Sequence, residues 1–300
     1  MMADAVVVIN AGAGTGYDAA WAAALRDKFA QAGLAAEVTL AHTGEEAVQA
    51  ARDAVGRGIG IVVAGGGDGT QNAIAAVLVD TSTALGVLPL GTLNHFAKDL
   101  NIPLTLEDAV ATIAHGRRQA VDVGEVNGRI FLNNSSLGLY PDIVRERVRQ
   151  QRLRGRGKWP AFFWASLSAL RRYPFLSLRL HVHGDEHARR TPFVFIGNNA
   201  YTMQGLNIGV RERLDGGCLS LYVAQRPTRL GLVRLACHAL LGRLERVPDF
   251  DVLVAEDLTI HSRRKLLRVA TDGEVTLLAP PLTYRSRPGA LTVIVPRQER

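Results

Sequence analysis

The sequence is poor in cysteine and lacks a hydrophobic run long enough to cross a membrane. Two cysteines, Cys218 and Cys237, occur in 300 residues, too few for a disulfide framework, so we expect a reducing compartment. The longest apolar candidate, residues 159–170, contains two serines and falls short of the roughly 20 residues that a membrane-spanning helix needs. Disulfide-stabilised and membrane-spanning classes are therefore not expected.

Aromatic residues are also scarce, at 6%, whereas hydrophobic residues make up 47% and charged residues 21% of the chain. Such proportions are typical of a folded globular protein. A chain of 300 residues exceeds the usual size of one hydrophobic core, so two domains are expected. Lys and Arg total 35 against 28 Asp and Glu, a net charge of +7, which suits nucleic acid, a phosphate ligand or an acidic membrane surface.

The first 120 residues alternate short apolar runs with segments of helical periodicity. The predicted strands are residues 6–9, 37–40, 59–64 and 85–89. Asp18 and Thr105 stand where they can cap two of the helices. This order predicts a parallel sheet with helices on both faces, forming an α/β domain over residues 1–121.

The pattern changes near Val121. Asn127-Gly128, between two apolar runs, predicts a tight hairpin. Residues 176–182 alternate strictly between apolar and polar side chains, as in a strand with one buried face. We therefore predict a second, antiparallel β-rich domain over residues 122–280. The final segment, residues 281–300, also alternates and can pair with either domain.

The most specific motif is GGGDGT, residues 65–70, at a strand-to-helix junction. Three consecutive glycines let backbone N–H groups approach a phosphate closely, and the helix that follows presents its positive N-terminus to the same anion. Asp68 is expected to act through Mg²⁺ or to hold a ribose or phosphate loop by hydrogen bonds. The structural alternative is a glycine-rich turn in which Asp68 caps the helix.

A second loop, PLGTLNHFAKDL at residues 89–100, repeats this geometry after the next predicted strand. Thr92 and Asn94 can bond phosphate oxygens or cap the helix that follows. The first predicted strand likewise ends in a glycine-containing loop, NAGAG at residues 10–14. The second loop, paired with GGGDGT on what should be a nearby strand, favours a phosphate site.

Together these loops resemble those of the diacylglycerol kinase catalytic-domain family, which includes bacterial soluble lipid kinases and the sphingosine and ceramide kinases. NAGAG resembles the family's first phosphate loop, with Ala11 in place of the usual proline. Residues 197–199, 214–221 and 271–274 resemble its later landmarks. NAD kinases share a GGDGT loop, but the elements that follow it in that family are not found in this sequence.

The resemblance implies a fold and a site. The fold is a Rossmann-like α/β domain of the NAD kinase and diacylglycerol kinase type, followed by an antiparallel β-sandwich-like domain. The catalytic carboxylates would be those of Asp272, Glu274 and Asp68. From the residues alone, the Asp-Gly-Glu element is more simply a type I′ hairpin turn. The residues implied in ATP binding are Asn10, Gly12, Gly14, Gly65, Gly66, Gly67, Asp68, Gly69, Thr70, Thr92 and Asn94.

ATP and Mg²⁺ are the expected cofactors. Phosphoryl transfer to an alcohol needs a carboxylate near the attacking hydroxyl, and Mg²⁺ with N–H donors around the γ-phosphate. The family also holds a structural Mg²⁺ at an Asp-Asp-Gly element, which here reads LDGG at residues 214–217. Gly216 stands where the metal-binding Asp is expected, which leaves Asp215 as the candidate ligand.

A basic segment, residues 145–158, precedes the aromatic-rich residues 159–170. It holds seven basic residues and one acid, which suits docking on anionic lipid headgroups. The alternative is a solvated basic face beside a helix packed on the second domain. We expect a cytoplasmic protein that is peripheral at the inner membrane face, without a nucleic-acid partner; a homodimer is compatible with the sequence.

The sequence therefore predicts an ATP-dependent kinase that transfers the γ-phosphate to the hydroxyl of a diacylglycerol-like lipid in the cleft between two domains. Three alternatives stay open. They are a small-molecule kinase of the NAD kinase type, a sphingoid-base or ceramide kinase, and a non-catalytic lipid- or nucleotide-binding protein.

Overall fold

A computed structural model describes residues 3–13, 16–138, 176–182, 184–204, 207–211, 213–224 and 250–297. The basic segment 145–158 and Gly14 lie outside these ranges. So do residues 142–150, 159–171 and 228–245, whose sequence patterns predict helices in the second domain. Within the described ranges, no helix combines the length and apolar character needed to span a bilayer.

The N-terminal part is a parallel sheet covered by helices, as predicted. Its strands lie in the order β2-β1-β3-β4. They are β1 (Ala5–Asn10), β2 (Ala36–Ala41), β3 (Ile61–Gly66) and β4 (Ala84–Pro89). The helices are α1 (Ala19–Gln31), α2 (Gly44–Gly56), α3 (Asp68–Leu78), α4 (His95–Asp99) and α5 (Leu106–His115), and a 3-10 turn (Ala11–Ala13) follows β1.

Aliphatic runs form these strands because both faces of a helix-covered sheet are buried. In β3, residues 62–64 have no exposed surface. Asp18 caps α1 by accepting a hydrogen bond from the N–H of Trp21. Thr105 caps α5 by accepting one from the N–H of Asp108. Both predicted caps are confirmed.

The C-terminal part is built from antiparallel strands, which confirms the predicted β-sandwich-like domain. Six strands form one sheet in the order β14-β13-β10-β7-β16-β17, and its inner face shares a hydrophobic core with β8, β15 and β18. The strands that follow β4 are β5 (Arg117–Val126), β6 (Arg129–Phe131), β7 (Asn134–Gly138), β8 (Leu176–Val182), β9 (Asp185–Thr191), β10 (Phe193–Asn198), β11 (Tyr201–Gln204), β12 (Asn207–Arg211), β13 (Leu219–Ala224), β14 (Phe250–Ala255), β15 (Asp257–Ser262), β16 (Leu267–Thr271), β17 (Glu274–Leu278) and β18 (Leu282–Val295).

Strand β18 connects the two parts. It runs parallel to β4, where Val293 lies beside Leu85, and antiparallel to β5 and β15. One ten-stranded sheet therefore extends from the α/β part into the β-rich part. The predicted domain boundary at residues 121–122 falls within β5 and stays a prediction.

A buried carboxylate reinforces the pairing of β5 with β18. Glu125 accepts hydrogen bonds from Arg285 at 2.7 and 2.9 Å and from Arg287 at 2.7 Å. Burial raises the pKa of Glu125, but the two guanidinium groups together outweigh burial and hold that pKa below its usual range. Arg287 also bonds Asp80, at the end of the turn after α3.

The predicted hairpin at Asn127-Gly128 is confirmed. Both residues have positive φ, 46° and 82°, which is the geometry of a type I′ turn, and the turn joins β5 to β6. The hairpin places the ring of Phe131 over Gly124 and edge-on to Tyr284, with ring centroids 6.3 Å apart. Residues 132–134 directly follow Phe131 in the chain and form part of the candidate site described below.

We expect Gly124→Ala to destabilise the fold. A Cβ at Gly124 would lie less than 3.0 Å from the buried ring of Phe131, and overpacking of this kind costs about 1–3 kcal/mol. Urea denaturation measures the loss. Gly56→Ala, where a Cβ would meet nothing within 4 Å, is the matched control and should not be destabilised. Equal stability of Gly124→Ala and the parent protein would contradict this account of the hairpin.

Candidate active site

Three loops meet where β1, β3 and β4 end. Because adjacent parallel strands end at the same edge of a sheet, ligands of such folds bind there. Asn10, the last residue of β1, donates from Nδ2 to Oγ1 of Thr70 at 2.9 Å. The NAGAG loop and the GGGDGT loop are thereby tied together, as their shared assignment to a phosphate site requires.

Several glycines of these loops are needed because the backbones approach so closely. A Cβ on Gly91 would lie less than 3.0 Å from the Cα of Gly67, and a Cβ on Gly12 would meet the carbonyl oxygen of His42. A Cβ on Gly65 would likewise collide with the side chain of Ile9. Close packing therefore explains part of the glycine pattern independently of any ligand.

The N-terminus of α3 has no side-chain cap. Gly67 occupies the capping position, and no side-chain hydrogen bond forms there. The first N–H groups of a helix lack partners within the helix, so those of α3 can receive an anion. Gly69 and Thr70 lie in this first turn.

Asp68 links the GGGDGT loop to the second loop. Its Oδ1 accepts a hydrogen bond from the N–H of Phe96, in the first turn of α4, at 3.2 Å. The carboxylate therefore holds a neighbouring loop by hydrogen bonding, one of the roles expected for it. A role with Mg²⁺ stays a prediction.

Asn94 stabilises its own loop. It adopts the left-handed conformation with φ 50° and does not cap α4 with its side chain. Its Oδ1 accepts from the N–H of Gly91 at 3.1 Å, and its Nδ2 donates to the carbonyls of Pro89 and Gly91 at 3.1 and 2.8 Å. Thr92 is exposed at the loop's surface. Phosphate contacts by Thr92 and Asn94 stay predictions.

Asp272 lies in a turn, and its carboxylate contacts residues 132–134. We call the region between this hairpin and the GGGDGT loop the candidate cleft. Asp272 and Gly273 have φ of 47° and 87°, the type I′ geometry of the simpler interpretation, between β16 and β17. The carboxylate accepts three backbone hydrogen bonds of 2.7 to 3.0 Å. The donors are the N–H groups of Leu132, Asn133 and Asn134.

The surroundings of Asp272 raise its pKa to about 6, because burial disfavours the charged form. The three N–H donors and the positive charge of Arg211 act in the opposite direction. A carboxyl with a pKa near 6 is ionised at neutral pH and is a better proton acceptor than an ordinary aspartate.

Glu274, on the same hairpin as Asp272, lies beside the GGGDGT loop. Its Oε1 lies 3.5 Å from the point where a Cβ on Gly69 would stand, so the carboxylate lies beside the first turn of α3. Residues 69 and 274 are far apart in sequence and come from different parts of the fold. The structure therefore brings the Asp-Gly-Glu element and GGGDGT together at one cleft.

Arg211 was not predicted from the sequence, yet it has no exposed side-chain surface and joins both sides of the cleft. Its Nε and Nη2 donate to Oδ2 of Asp99, the last residue of α4, at 2.8 and 2.7 Å. Its Nη1 donates to the carbonyl of Leu132 at 2.7 Å, and Nη2 to Oδ1 of Asn133 at 2.8 Å. The ring of Tyr201 lies 5.5 Å from its Cζ.

Asp215 does not fit a structural metal site. It is exposed and pairs with Arg213 at 3.0 Å. The neighbouring N–H groups of Gly217 and Gly289 instead bond the carboxylate of Asp122, at 2.7 and 2.9 Å. No group of three or more His, Cys, Asp or Glu in the described part of the chain is arranged to hold a metal ion.

Comparison with protein families gives a class of protein that agrees with this fold and candidate site. Residues 4–126 match the model described as the diacylglycerol kinase catalytic domain. Residues 140–295, more than half of the chain, match the YegS C-terminal NAD kinase beta sandwich-like domain. The chain therefore belongs to the diacylglycerol kinase catalytic-domain family, with a C-terminal domain of the YegS type.

Individual relatives agree with this assignment. Proteins named "Probable lipid kinase YegS-like" from Yersinia pestis (strain Pestoides F) and Yersinia pseudotuberculosis serotype O:1b (strain IP 31758) are 38% identical over 110 residues, 35% of this chain. The match spans only 37% of each of those relatives. A crystal structure described as a diacylglycerol kinase from Bacillus anthracis str. Sterne has a TM-score of 0.70 at 20% identity, over 97% of this chain and 96% of that one. The fold is therefore shared.

We expect Arg211→Met to lower the free energy of unfolding by about 3–5 kcal/mol, because it leaves Asp99 buried without its cation. Arg213→Met is the matched control, since this exposed arginine two positions away also pairs with an aspartate and should cost less than about 1 kcal/mol. Denaturant melts of both variants measure the difference. Equal stability of the two variants would contradict the role given to Arg211.

Proposed function

We propose that this protein is an ATP-dependent lipid kinase that transfers the γ-phosphate to the hydroxyl of a diacylglycerol-like lipid. One observation carries the proposal: Oε1 of Glu274, on the hairpin that also bears Asp272, lies beside the first turn of α3, whose N-terminus is uncapped. A carboxylate pair beside an anion-binding helix end is the arrangement that phosphoryl transfer to an alcohol requires. Membership of the diacylglycerol kinase catalytic-domain family supports the same activity.

The triphosphate would lie over the three loops at the end of the parallel sheet. The N–H groups at the start of α3 would bond phosphate oxygens, and the loops of Asn10 and Thr92 would flank them. Positioned N–H donors stabilise the charge that develops on the transferred group without reorganising. The tie between Asn10 and Thr70 keeps two of these loops in a fixed relation.

Mg²⁺ fits the carboxylates at this position. Asp68 and Glu274 flank the first turn of α3, and protein sites often hold Mg²⁺ by one or two carboxylates together with the substrate's phosphates. When bound, the ion would neutralise phosphate charge. A structural ion at Asp215 is not part of the proposal, because that carboxylate already pairs with Arg213.

Asp272 is the candidate acceptor of the hydroxyl proton, and Glu274 the candidate positioning group for the nucleotide. Burial gives Asp272 a pKa of about 6, close to the value that suits a base at neutral pH. The three backbone N–H groups fix its orientation. The lipid hydroxyl would approach from the β-rich side of the cleft, and the acyl chains would extend away from the loops.

The proposed setting is the cytoplasm, with the protein peripheral at the inner membrane face and a role in phospholipid metabolism. ATP and a lipid alcohol are the proposed ligands, without a nucleic-acid partner. Incubation with γ-labelled ATP and either a total lipid extract or NAD tests the class of acceptor. Label in a phospholipid supports the proposal, whereas label in NADP identifies a small-molecule kinase.

We expect Asp272→Asn to lower kcat about 10²- to 10⁴-fold, the usual contribution of a positioned base. The amide oxygen can still accept the hydrogen bonds from Asn133 and Asn134, whereas the N–H of Leu132 would face the amide nitrogen, so the variant should fold with reduced stability. In the parent protein kcat/KM should fall as the pH drops through about 6, since the ionised form of Asp272 is the active one.

Asp68→Asn should also reduce transfer of the labelled phosphate. Asp185→Asn, on the exposed strand β9, is the control. Full activity of both Asp272→Asn and Asp68→Asn would refute this site.

A further inference from the structure

The loop between β15 and β16 carries a compact positive charge. Arg263, Arg264 and Lys265 are consecutive and exposed; we call these three residues the basic tip. No residue in the described ranges forms an ion pair with any of them. The N–H of Arg264 donates to Oγ of Ser262 at 3.3 Å, a hydrogen bond that uses the backbone of Arg264 and not its guanidinium. Their charge is therefore directed at solvent or at a partner.

Exposed aliphatic side chains adjoin the basic tip. Leu266 is 53% exposed, Leu277 is 59% exposed and Val275 is 38% exposed. These three belong to one face of the β16–β17 ribbon, because Leu267 and Val269 point into the core and side chains alternate along a strand. We call Leu266, Val275 and Leu277 the apolar strip.

The apolar strip leads from the basic tip towards the candidate active site. Strand β17 is the edge strand of the six-stranded sheet, so among the described residues no further strand pairs with its outer edge. Val275 directly follows Glu274, and Leu277 pairs in register with Arg268, two residues beyond Leu266. At about 3.4 Å per residue, the strip spans the length between the tip and the carboxylate hairpin.

We propose that the basic tip and the apolar strip form a docking surface for a bilayer that contains anionic phospholipids. Exposed aliphatic side chains beside unpaired arginine and lysine match the two layers of a membrane surface, since the aliphatic groups enter the acyl boundary and the cations meet the phosphates. The proposed function supplies the reason for the orientation: a bilayer along β17 lies next to the hairpin that would receive a lipid hydroxyl.

The charge of the tip sets the size of the expected effect. Each arginine or lysine near an anionic membrane surface adds about fivefold to affinity, so three together add on the order of 100-fold. This contribution is screened by salt within roughly 10 Å at moderate ionic strength. The apolar strip is less sensitive to salt, so its contribution can be separated from that of the tip.

Vesicle flotation tests the surface. The probes are vesicles of phosphatidylcholine alone and of phosphatidylcholine mixed with phosphatidylglycerol. We expect the parent protein to bind the anionic vesicles, Arg263→Gln/Arg264→Gln/Lys265→Gln to lose on the order of 100-fold in affinity, and Leu266→Ser/Leu277→Ser to bind more weakly at high salt. The control Arg26→Gln/Arg52→Gln/Arg117→Gln removes the same charge from exposed positions of the α/β part and should bind like the parent protein.

A parallel assay separates this inference from the proposed function. Phosphorylation of a short-chain, water-soluble diacylglycerol should be the same in the tip variant and the parent protein, because this substrate needs no membrane contact. Unchanged vesicle binding by a folded tip variant would overturn the docking surface. This holds equally if another basic segment or a protein partner recruits the protein to the membrane. Absence of kinase activity in the parent protein, with tip-dependent vesicle binding retained, would refute the proposed function and leave the docking surface standing.

Discussion

The buried guanidinium of Arg211 forms hydrogen bonds with groups on both sides of the candidate cleft. Taking a charge out of water costs several kcal/mol unless a counter-ion and further hydrogen bonds replace the lost solvent. Asp99 supplies the counter-ion from α4, and Leu132 and Asn133 supply oxygens from the β-rich part. Since the cation needs partners from both parts, a shift of either part would leave a buried charge incompletely satisfied.

The remaining contacts extend this interaction around the cleft. Residues 132–134 offer oxygens to Arg211 on one side and N–H groups to Asp272 on the other, so the ion pair and the Asp272 hairpin share one short backbone segment. Each link is weak or moderate alone, but hydrogen-bonded networks stabilise one arrangement over others. The hydrogen-bonded links in order are Asp68 with Phe96, Asp99 with Arg211, Arg211 with residues 132–133, and residues 132–134 with Asp272. Glu274, on the same hairpin as Asp272, lies beside Gly69.

Local patterns were enough to predict most of the fold. Buried runs, caps and the Asn127-Gly128 turn depend on neighbours in sequence, and they were found as expected. The position of GGGDGT at a strand-to-helix junction was predictable because its glycines are consecutive and follow a strand. Two interpretations were considered for the Asp-Gly-Glu element, and they are compatible. Its backbone forms a type I′ turn, and its side chains belong to the candidate site. A turn fixes φ and ψ but does not fix what the carboxylate contacts.

Long-range partners could not be predicted in the same way. Arg211 and Asp99 are 112 residues apart, and nothing near either residue distinguishes them from surface charges. Asn94 was expected to bond phosphate or cap a helix; its left-handed backbone turns the amide into its own loop and not onto α4, and the phosphate contact stays a prediction. Asp215 was the candidate metal ligand, but its pairing with Arg213 and the hydrogen bond from the nearby Gly217 to Asp122 depend on positions that only the folded chain reveals.

Amide hydrogen exchange at residues 132–134 tests the central claim most directly. Asp99 contacts none of these three N–H groups, yet it holds Arg211, which holds the segment that bears them. In a folded Asp99→Asn protein we therefore expect faster exchange at Leu132, Asn133 and Asn134, and unchanged exchange in Asp215→Asn, where the ion pair is exposed. Unchanged protection of the three amides in Asp99→Asn would contradict the claim that Arg211 couples α4 to the Asp272 hairpin.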